Sequence, residues 1–250
     1  MCGEIQGMEI PGSAKPGYSH IYRSRYRSVV QVDVSSYTVF TDSAHRQPDA
    51  EFVGSRPWDF ATGDWAPYFR WYTYGQTDEI RTALGSAFMT LARQGKLGSD
   101  VPDRDWCVAF WTTNRPEFQF MHQACNAYGL RCVSIYDSYD ADNAAYILDH
   151  SETRIILTTS SHLADVLSKS KDVPRLKAVI LLDAKISTAS PQGAVPRILP
   201  PGCIELPAMA KAWAKEKGID VYSFEDVLAF GRQNLVAHNP HTSEKDIMML

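Results

Sequence analysis

Short apolar runs alternate with amphipathic stretches through the middle of the chain. The apolar runs predict buried strands at residues 106–112, 131–135, 154–159 and 177–182. Apolar residues at helical spacing lie between them and predict helices starting at Pro116, at Asp140 or Asp142, and at Ser161. Such alternation implies right-handed crossovers and a parallel sheet covered on both faces. The pattern predicts an α/β fold, a doubly wound and mostly parallel sheet flanked by helices.

A longer helix is predicted before the first of these strands. Thr77 can cap its start and Gly95 can end it. One apolar face recurs between them at helical spacing, made of Ile80, Leu84, Ala87, Phe88 and Leu91. Upstream, strands at residues 51–56 and 70–74 flank a loop rich in Gly, Pro and Asp, which predicts a hairpin. Its tryptophans, Trp58, Trp65 and Trp71, are predicted to pin the hairpin to the core.

The two ends of the chain show weaker patterns. Residues 1–50 are rich in Tyr, Arg, Ser and Pro without periodicity, and we interpret them as an extended N-terminal arm. The carboxyl third predicts an irregular connection at 184–206, a helix at 207–217 and a strand at 219–222. Ser223 and Asp226 form a capping pattern for a last helix that Gly231 would end. A polar linker at 234–245 leads to a further strand at 246–250, so residues 51–250 are interpreted as one α/β domain.

Composition narrows the class of protein. The chain is 44% hydrophobic and 22% charged, with a net charge of −4, so nothing favours binding to nucleic acid. No run approaches the roughly 20 apolar residues of a transmembrane segment, and the N-terminus does not resemble a secretory signal. The five scattered cysteines favour an intracellular, reducing compartment. Cys107, Cys125 and Cys132 are predicted to be small core residues, with a catalytic thiol as the alternative.

Known phosphate-binding motifs are absent from the sequence. Gly95-Lys96-Leu97 is the nearest candidate for a phosphate loop, but Thr90 and Leu97 stand where the motif requires Gly and Ser or Thr. Lys96 is better assigned to the carboxyl end of a helix. There is also no G-x-G-x-x-G, which excludes the dinucleotide fingerprint.

Candidate metal ligands and nucleophiles are equally weak. His238 and His241 are assigned to a solvated linker, and the acidic stretch Asp137, Asp140 and Asp142 to helix capping. The remaining histidines are interpreted as surface or boundary residues (His122, His150) or have no evident partner (His45, His162). Without a G-x-S-x-G elbow either, the residues alone indicate no catalytic, cofactor-binding or metal site.

Four segments together resemble the AMP-forming acyl-CoA synthetases, especially the long-chain fatty acid CoA ligases. They are FRWYTYGQTDEIRTALGSAF, DWCVAFWTTNRPEFQFMHQACNAYGLRCVSIYDSYDADNAAYILDHSETRIILTT, GIDVYSFEDVLAFG, and the ending HTSEKDIMML, found in that order from Phe69 to Leu250. In the family, the last segment leads directly into a phosphate loop rich in Ser, Thr and Gly. The resemblance implies the first subdomain of the AMP-binding domain, ending before that loop, and the aromatic N-terminal arm favours the long-chain branch over short-chain or aryl-acid members.

The resemblance also implies a reaction. ATP with Mg²⁺ and a long-chain fatty acid give acyl-adenylate and pyrophosphate, and coenzyme A then displaces AMP. No catalytic, cofactor-binding or metal residue is carried over, because the matching motifs lie beyond Leu250. We therefore expect an inactive fragment that self-associates through an exposed apolar face. Its compartment is cytoplasmic, peroxisomal or peripheral on the endoplasmic reticulum membrane. The alternative is a non-enzymatic, flavodoxin-like binding module.

Overall fold

A computed structural model describes residues 7–24, 35–59, 62–185, 204–205, 208–241 and 248–249. The chain divides into two compact units, Met1–Val34 and Ser35–Leu250. In the first unit, β1 (Gly7–Glu9) and β2 (Tyr22–Ser24) form an antiparallel pair.

The second unit carries the α/β fold. Its helices are α1 (Ser36–Arg46), α2 (Tyr74–Arg93), α3 (Pro116–Tyr128), α4 (Ala141–His150), α5 (Ser160–Ser168), α6 (Ala208–Glu216) and α7 (Phe224–Gln233). Its longer strands are β3 (Glu51–Ser55), β6 (Arg70–Thr73), β7 (Cys107–Trp111), β8 (Arg131–Ile135), β9 (Ile155–Thr158), β10 (Ala178–Leu181) and β13 (Asp220–Ser223). Four strands have two residues each: β4 (Trp58–Asp59), β5 (Asp64–Trp65), β11 (Ala184–Lys185) and β12 (Ile204–Glu205).

Five strands form one parallel sheet in the order β8-β7-β9-β10-β13. From β7 the chain crosses to β8 and then returns to the other side of β7 as β9. This reversal creates a switch point between β7 and β9, where ligands of open α/β sheets bind at the carboxyl ends of the strands. The predicted doubly wound, parallel fold is confirmed, and its four central strands lie where the apolar runs predict them.

Side chains of the sheet alternate between two buried clusters. On one face, Val108 and Phe110 join the core formed with α2, α3 and α7. On the other face, Ala109 and Trp111 join the core formed with α4, α5 and α6. Both faces of β7 are buried, which is why its sequence is a continuous apolar run without alternation.

The long helix α2 starts earlier than predicted. The hydroxyl of Thr73 accepts from the backbone N–H of Gln76, and the Gln76 side chain accepts from the backbone N–H of Thr73, which makes a capping box. Thr77 is buried within the helix, so its assignment as the cap is wrong. Gly95 follows the helix with a φ of 72° and ends it as predicted, and the predicted apolar face is buried.

The prediction of an extended arm over residues 1–50 is wrong for residues 36–46, which form α1. The Ser35 hydroxyl caps this helix at the N–H of Thr38. Only Phe40 and Ala44 are buried, so the periodic signal in the sequence is too short to detect. The ring of Phe40 meets Phe52 of β3 edge to face at 5.1 Å, and this tertiary contact fixes the helix.

Gly231 does not end α7, which continues to Gln233. A Cβ atom at Gly231 would lie 1.8 Å from the carbonyl oxygen of Ala83 in α2. The glycine therefore serves close packing between two helices. The predicted cap at Ser223 is confirmed, since its hydroxyl accepts from the N–H of Asp226.

The β3–β6 hairpin is confirmed, but two of its tryptophans, Trp65 and Trp71, do not anchor it. Trp65 is 39% exposed and Trp71 is 44% exposed, and the side chain of Trp58 lies outside the described part of the structure. Trp71 covers the outer face of Gly54, whereas the next residue, Tyr72, points inward and contacts Phe120 with ring centroids 5.0 Å apart. Strand alternation therefore gives the anchoring role to the tyrosine.

The connection and the end of the chain are described only in part. Of the predicted irregular region 184–206, the described residues form the short parallel pair β11–β12, and the rest lies outside the described residues. Of the predicted strand 246–250, residues 248–249 are described. There the N–H of Cys132 donates to the carbonyl of Met248 at 3.0 Å, and Met249 pairs with Cys132 in parallel beside β8. None of the helices in the described ranges has the length and apolar character to cross a membrane.

Candidate functional site at the carboxyl edge of the sheet

A groove of about 490 Å³ opens where β7 and β8 end. This volume lies within the range of small-molecule sites. Its lining consists of Phe110, Thr112, Thr113, Asn114, Phe118, Ser134, Ile135, Tyr136, Asp137 and Ser138. The groove therefore combines an aromatic and aliphatic floor with a rim of hydroxyl and amide groups.

The apolar floor is built from both sides of the groove. Phe110 of β7 and Phe118 of α3 meet edge to face with ring centroids 5.3 Å apart. The next turn of α3 places His122 parallel to Phe118 at 6.1 Å, and burial lowers the pKa of His122. The imidazole is thus favoured in its neutral form and adds no positive charge to this side of the groove.

The wall formed by residues 136–138 is held by the strands beside it. The indole N–H of Trp111 donates to the carbonyl of Tyr136 at 3.1 Å. The same indole stacks on the imidazole of His162 in α5, with centroids 4.1 Å apart and an interplanar angle of 17°. The Nε2 atom of His162 lies 2.9 Å from the Oδ1 atom of Asp137. We call this arrangement of Trp111, Asp137 and His162 the His162 bridge. It joins β7, the loop after β8, and α5.

The loops after β9 and β10 are also fixed by hydrogen bonds. The Thr158 hydroxyl donates to the carbonyl of Trp111 at 2.6 Å across the switch point. Asp183 accepts from both the N–H and the hydroxyl of Ser160 at 2.8 Å, so it supports the start of α5. The carboxyl edge is thus a set of mutually bonded loops.

The charged residues near the groove are already paired. Arg115 forms an ion pair with Glu117 at 3.1 Å at the start of α3, and both side chains are almost fully buried. Asp137 is bonded to His162, and of the described residues no lysine or arginine lines the groove. Uncharged polar groups on an apolar ligand therefore suit the groove better than a phosphate or a carboxylate does.

These residues do not fit Mg-ATP, which the family resemblance implies. A triphosphate requires cations or a cradle of backbone N–H groups, and a magnesium ion requires carboxylate oxygens. Within the described ranges, no group of three His, Cys, Asp or Glu side chains could hold a metal ion. We therefore derive no catalytic step through ATP or Mg²⁺ at this groove.

One residue of the acidic stretch caps a helix as predicted, and the other two have different partners. Asp140 caps α4 by accepting from the N–H of Asn143 at 2.8 Å, which confirms the capping interpretation for this residue. Asp142 pairs with Lys169 at the end of α5, and Asp137 belongs to the His162 bridge. The prediction that His162 has no evident partner is wrong, since it contacts Trp111 and Asp137. Sequence periodicity did not reveal these contacts because they join segments distant in the chain.

His238 and His241 do not lie in a solvated linker, which corrects that prediction. Each ring nitrogen of His238 is 3.0 Å from a hydroxyl oxygen, that of Tyr37 for Nδ1 and that of Thr82 for Nε2. His241 is largely buried, with Nε2 at 3.7 Å from the carboxylate of Asp105. Burial, followed by the charge of Arg81, lowers the pKa of His238. Both histidines serve packing.

The predicted core cysteines are buried with free thiols. Burial raises the pKa of Cys107 and of Cys125, and it raises that of Cys132 to about 12. A thiol in such surroundings stays protonated, which disfavours the alternative of a catalytic thiolate. Cys2 and Cys203 lie outside the described residues.

Sequence reasoning missed the groove itself. Its polar residues follow two predicted strands directly, at 112–114 and at 136–138. Because the carboxyl ends of parallel strands lie at one edge of a sheet, polar residues at these two places were the available signal. Nothing in the sequence indicates that the rings of Trp111 and His162 stack on each other.

The sequence matches the family described as AMP-binding enzyme over residues 40–212. It is 32% identical to the peroxisomal acyl-CoA ligase 891 of Penicillium brevicompactum, covering 72% of this chain and 26% of that protein. It is 27% identical to long-chain-fatty-acid–CoA ligase 1 of Cavia porcellus, covering 92% and 29%. The peroxisomal long chain acyl-CoA synthetase 6 of Arabidopsis thaliana is 26% identical, covering 78% and 23%. The chain thus spans about a quarter of the length of each of these relatives.

The fold is similar to solved adenylation domains. The A-PCP didomain of the carboxylic acid reductase from Segniliparus rugosus, in complex with AMP, aligns with a TM-score of 0.66 at 15% identity, covering 86% of this chain and 29% of that one. The adenylation domain of the carboxylate reductase from Mycobacterium chelonae aligns with a TM-score of 0.63 at 14% identity, covering 87% and 32%. By its sequence match over more than half its length, this chain belongs to the family of AMP-binding enzymes, and its relatives there are acyl-CoA ligases.

Proposed function

We propose that this chain is the N-terminal part of a long-chain fatty acid CoA ligase. The complete enzyme would convert ATP, a long-chain fatty acid and coenzyme A into acyl-CoA, AMP and pyrophosphate by way of acyl-adenylate. The observation that carries the proposal is that the family match, residues 40–212, covers four of the five strands of the parallel sheet (β7, β8, β9 and β10) and the carboxyl-edge groove. The names of the guinea pig and Arabidopsis relatives support the long-chain preference.

The 250 residues alone are proposed not to catalyse this reaction. They contain neither a P-loop motif nor a G-x-G-x-x-G, and within the described part of the chain the groove offers neither a cation nor a cluster of metal ligands. ATP, Mg²⁺ and coenzyme A would be held mainly by parts of the enzyme outside this sequence.

The transcript beyond the codon for Leu250 provides the first test. A reading frame that continues into a Ser/Thr/Gly-rich loop supports the proposal, and its product should form acyl-CoA from acids of about 16 carbons faster than from acetate or benzoate. The 250-residue chain, assayed in parallel, should release no pyrophosphate. Thioester synthesis by the short chain would refute its inactivity, and a preference for short or aryl acids would refute the long-chain assignment.

A peroxisomal location is proposed for the complete enzyme, ahead of the cytoplasm or the surface of the endoplasmic reticulum. The names of the Penicillium and Arabidopsis relatives support it. A fluorescent fusion that leaves the natural C-terminus free should co-localise with a peroxisomal marker. A reticular or diffuse signal would favour one of the other two locations.

The second candidate function is a non-enzymatic binding module. The order β8-β7-β9-β10-β13 is that of flavodoxin-like sheets, which supports this alternative. A genuine stop codon after Leu250 together with a monomeric, ligand-binding product would favour it over the ligase.

A further inference from the structure

The strand pair β1–β2 and the loop between its strands form an arm, residues 7–24, with two different faces. Met8 of β1 stands directly opposite Arg23 of β2. The N–H of Ile10 donates to the carbonyl of Ile21 at 2.8 Å, so the pairing continues with these two residues opposite each other. Because alternate residues of a strand share a face, the four side chains lie on one side of the arm. This side carries three aliphatic groups and one cation, and we call it the apolar face.

The opposite face of the arm is polar. Glu9 of β1 stands opposite Tyr22 of β2. The Nδ1 atom of His20 is within hydrogen-bond distance of the Oε1 atom of Glu9, and the rings of His20 and Tyr22 are 6.5 Å apart. The acidic side chain of the arm therefore points away from the apolar face and has a partner.

Two Pro-Gly turns fold the loop between the strands. Their glycines, Gly12 and Gly17, have φ angles of 76° and 81°, in the left-handed region that glycine favours. Lys15 and Tyr18 flank the second turn, where the N–H of Tyr18 donates to the carbonyl of Lys15 at 3.0 Å. The loop thus presents a cation beside an aromatic ring.

The arm is exposed, and its charge differs from that of the chain as a whole. Met8 is 41% exposed, Ile21 is 58% exposed and Tyr18 is 78% exposed. The whole chain has a net charge of −4, but residues 10–32 contain no Asp or Glu. The Lys and Arg residues of that stretch are Lys15, Arg23, Arg25 and Arg27. Positive charge and exposed apolar side chains therefore occur together in this part of the sequence.

An anionic lipid surface matches this combination of groups. Its head groups attract Lys and Arg side chains, and the layer beneath them accepts apolar and tyrosine side chains. A nucleic acid would attract the same cations, but it offers no apolar layer for Met8, Ile10 and Ile21. These partly exposed side chains also cover far less than the roughly 800 Å² per partner of a stable protein interface.

We propose that the β1–β2 arm is a docking surface for anionic lipid membranes, with its apolar face towards the acyl chains. Lys15 and Arg23 contact the head groups, and the aliphatic side chains of the apolar face enter the layer beneath them. Charge and apolar area act together, because each alone gives only weak attachment to a membrane. The arm precedes residues 40–212, which match the AMP-binding enzymes, so this role does not rest on the reaction proposed above.

The experiment is co-sedimentation of the 250-residue chain with phosphatidylcholine vesicles that contain or lack phosphatidylserine. At about 0.1 M salt the chain should bind the vesicles with phosphatidylserine and not the others, and about 1 M salt should weaken binding by screening the charges. Lys15→Gln with Arg23→Gln should lower the partition coefficient about 25-fold, because each cation near an anionic surface contributes about fivefold. Ile10→Ser with Ile21→Ser should lower it about tenfold.

The matched control is Arg93→Gln with Lys96→Gln. It removes two exposed cations at the end of α2 and should leave binding unchanged. An equal loss in this control would reduce the effect to net charge and overturn the proposal. Binding that survives both arm variants, absence of binding to phosphatidylserine, or tighter binding to a duplex oligonucleotide would overturn it as well.

The β3–β6 hairpin is tested in the same assay with the Tyr68→Ser, Phe69→Ser variant. Loss of vesicle binding in that variant, with full binding in both arm variants, would assign the membrane contact to the hairpin and refute the role of the arm. Circular dichroism should give the same spectrum for every variant, because each substituted side chain is exposed. If the isoleucine variant has an altered spectrum, the charge variant and its control decide.

Discussion

The aromatic ring of Tyr128 lies directly on the backbone of Gly85, where a Cβ atom would be only 2.1 Å from the ring. This contact joins α3 to α2 and also positions the Tyr128 hydroxyl. That hydroxyl lies 2.8 Å from the hydroxyl of Ser86 and within 3.1 Å of the carbonyls of Thr82 and Val236. The packing of Tyr128 therefore requires glycine at position 85, in the middle of α2.

Gly85→Ala should destabilise the protein despite the higher helix propensity of alanine. The propensity favours alanine by about 1 kcal/mol. The clash with a fully buried ring costs about 1–3 kcal/mol or more, because Tyr128 cannot move without breaking its hydrogen bonds. Urea unfolding followed by circular dichroism should show a lower midpoint. Glu79→Ala, at an exposed position of the same helix, is the control, and an unchanged midpoint in Gly85→Ala would contradict the packing argument.

Tyr128→Phe should reduce the free energy of unfolding by about 1–3 kcal/mol, because it leaves buried polar groups without their partner. The ring and its contact with Gly85 remain. The loss of protection from hydrogen exchange should be largest at Val236, whose N–H donates to Ser86 and whose carbonyl accepts from the Tyr128 hydroxyl. Hydrogen exchange at residues 234–239 is the measurement, and Tyr222→Phe, on β13, is the control. Equal protection in both variants would count against this network.

His238 should make stability depend on pH. Its pKa is lowered in the folded protein from an ordinary value of 6.5, so the unfolded chain binds the proton more readily. The resulting stabilisation is complete above pH 6.5 and declines as pH falls through the lower pKa of the folded state. Unfolding free energies measured from about pH 7.5 to about pH 5 should fall, and they should fall less in His238→Gln. A parallel decline in both proteins would assign the effect to other groups.

Association of the isolated chain is expected at high concentration. The hairpin exposes four large apolar side chains within seven residues, Trp65, Tyr68, Phe69 and Trp71. Clusters of this kind favour contact with another surface. Size-exclusion chromatography over a hundredfold range of concentration should show a shift to larger species, and a Tyr68→Ser, Phe69→Ser double variant should reduce it. A monomer at every concentration would refute this expectation.

The sequence predicts what depends on local pattern. The apolar run of β7, the glycine that ends α2 at Gly95 and the cap at Asp140 are each decided by neighbours within a few residues. The predictions fail where contacts with a segment distant in the sequence determine the local structure. Gly231 was assigned to a helix end, although the oxygen of Ala83, far away in the sequence, explains it. The sequence likewise predicts a solvated linker for His238 and no evident partner for His162, because the residues that contact them come from other elements.

Two adjacent residues of β7 lie on opposite faces of the strand and have different roles. Phe110 belongs to the floor of the groove, and Trp111, on the opposite face, holds the groove wall from behind. Because alternate residues of a strand face opposite sides, insertion or deletion of a single residue in β7 would exchange these positions. Substitutions at either residue would alter one surface, whereas a change in strand length would disturb both at once. Length variation should therefore be confined to the loops that follow the strands.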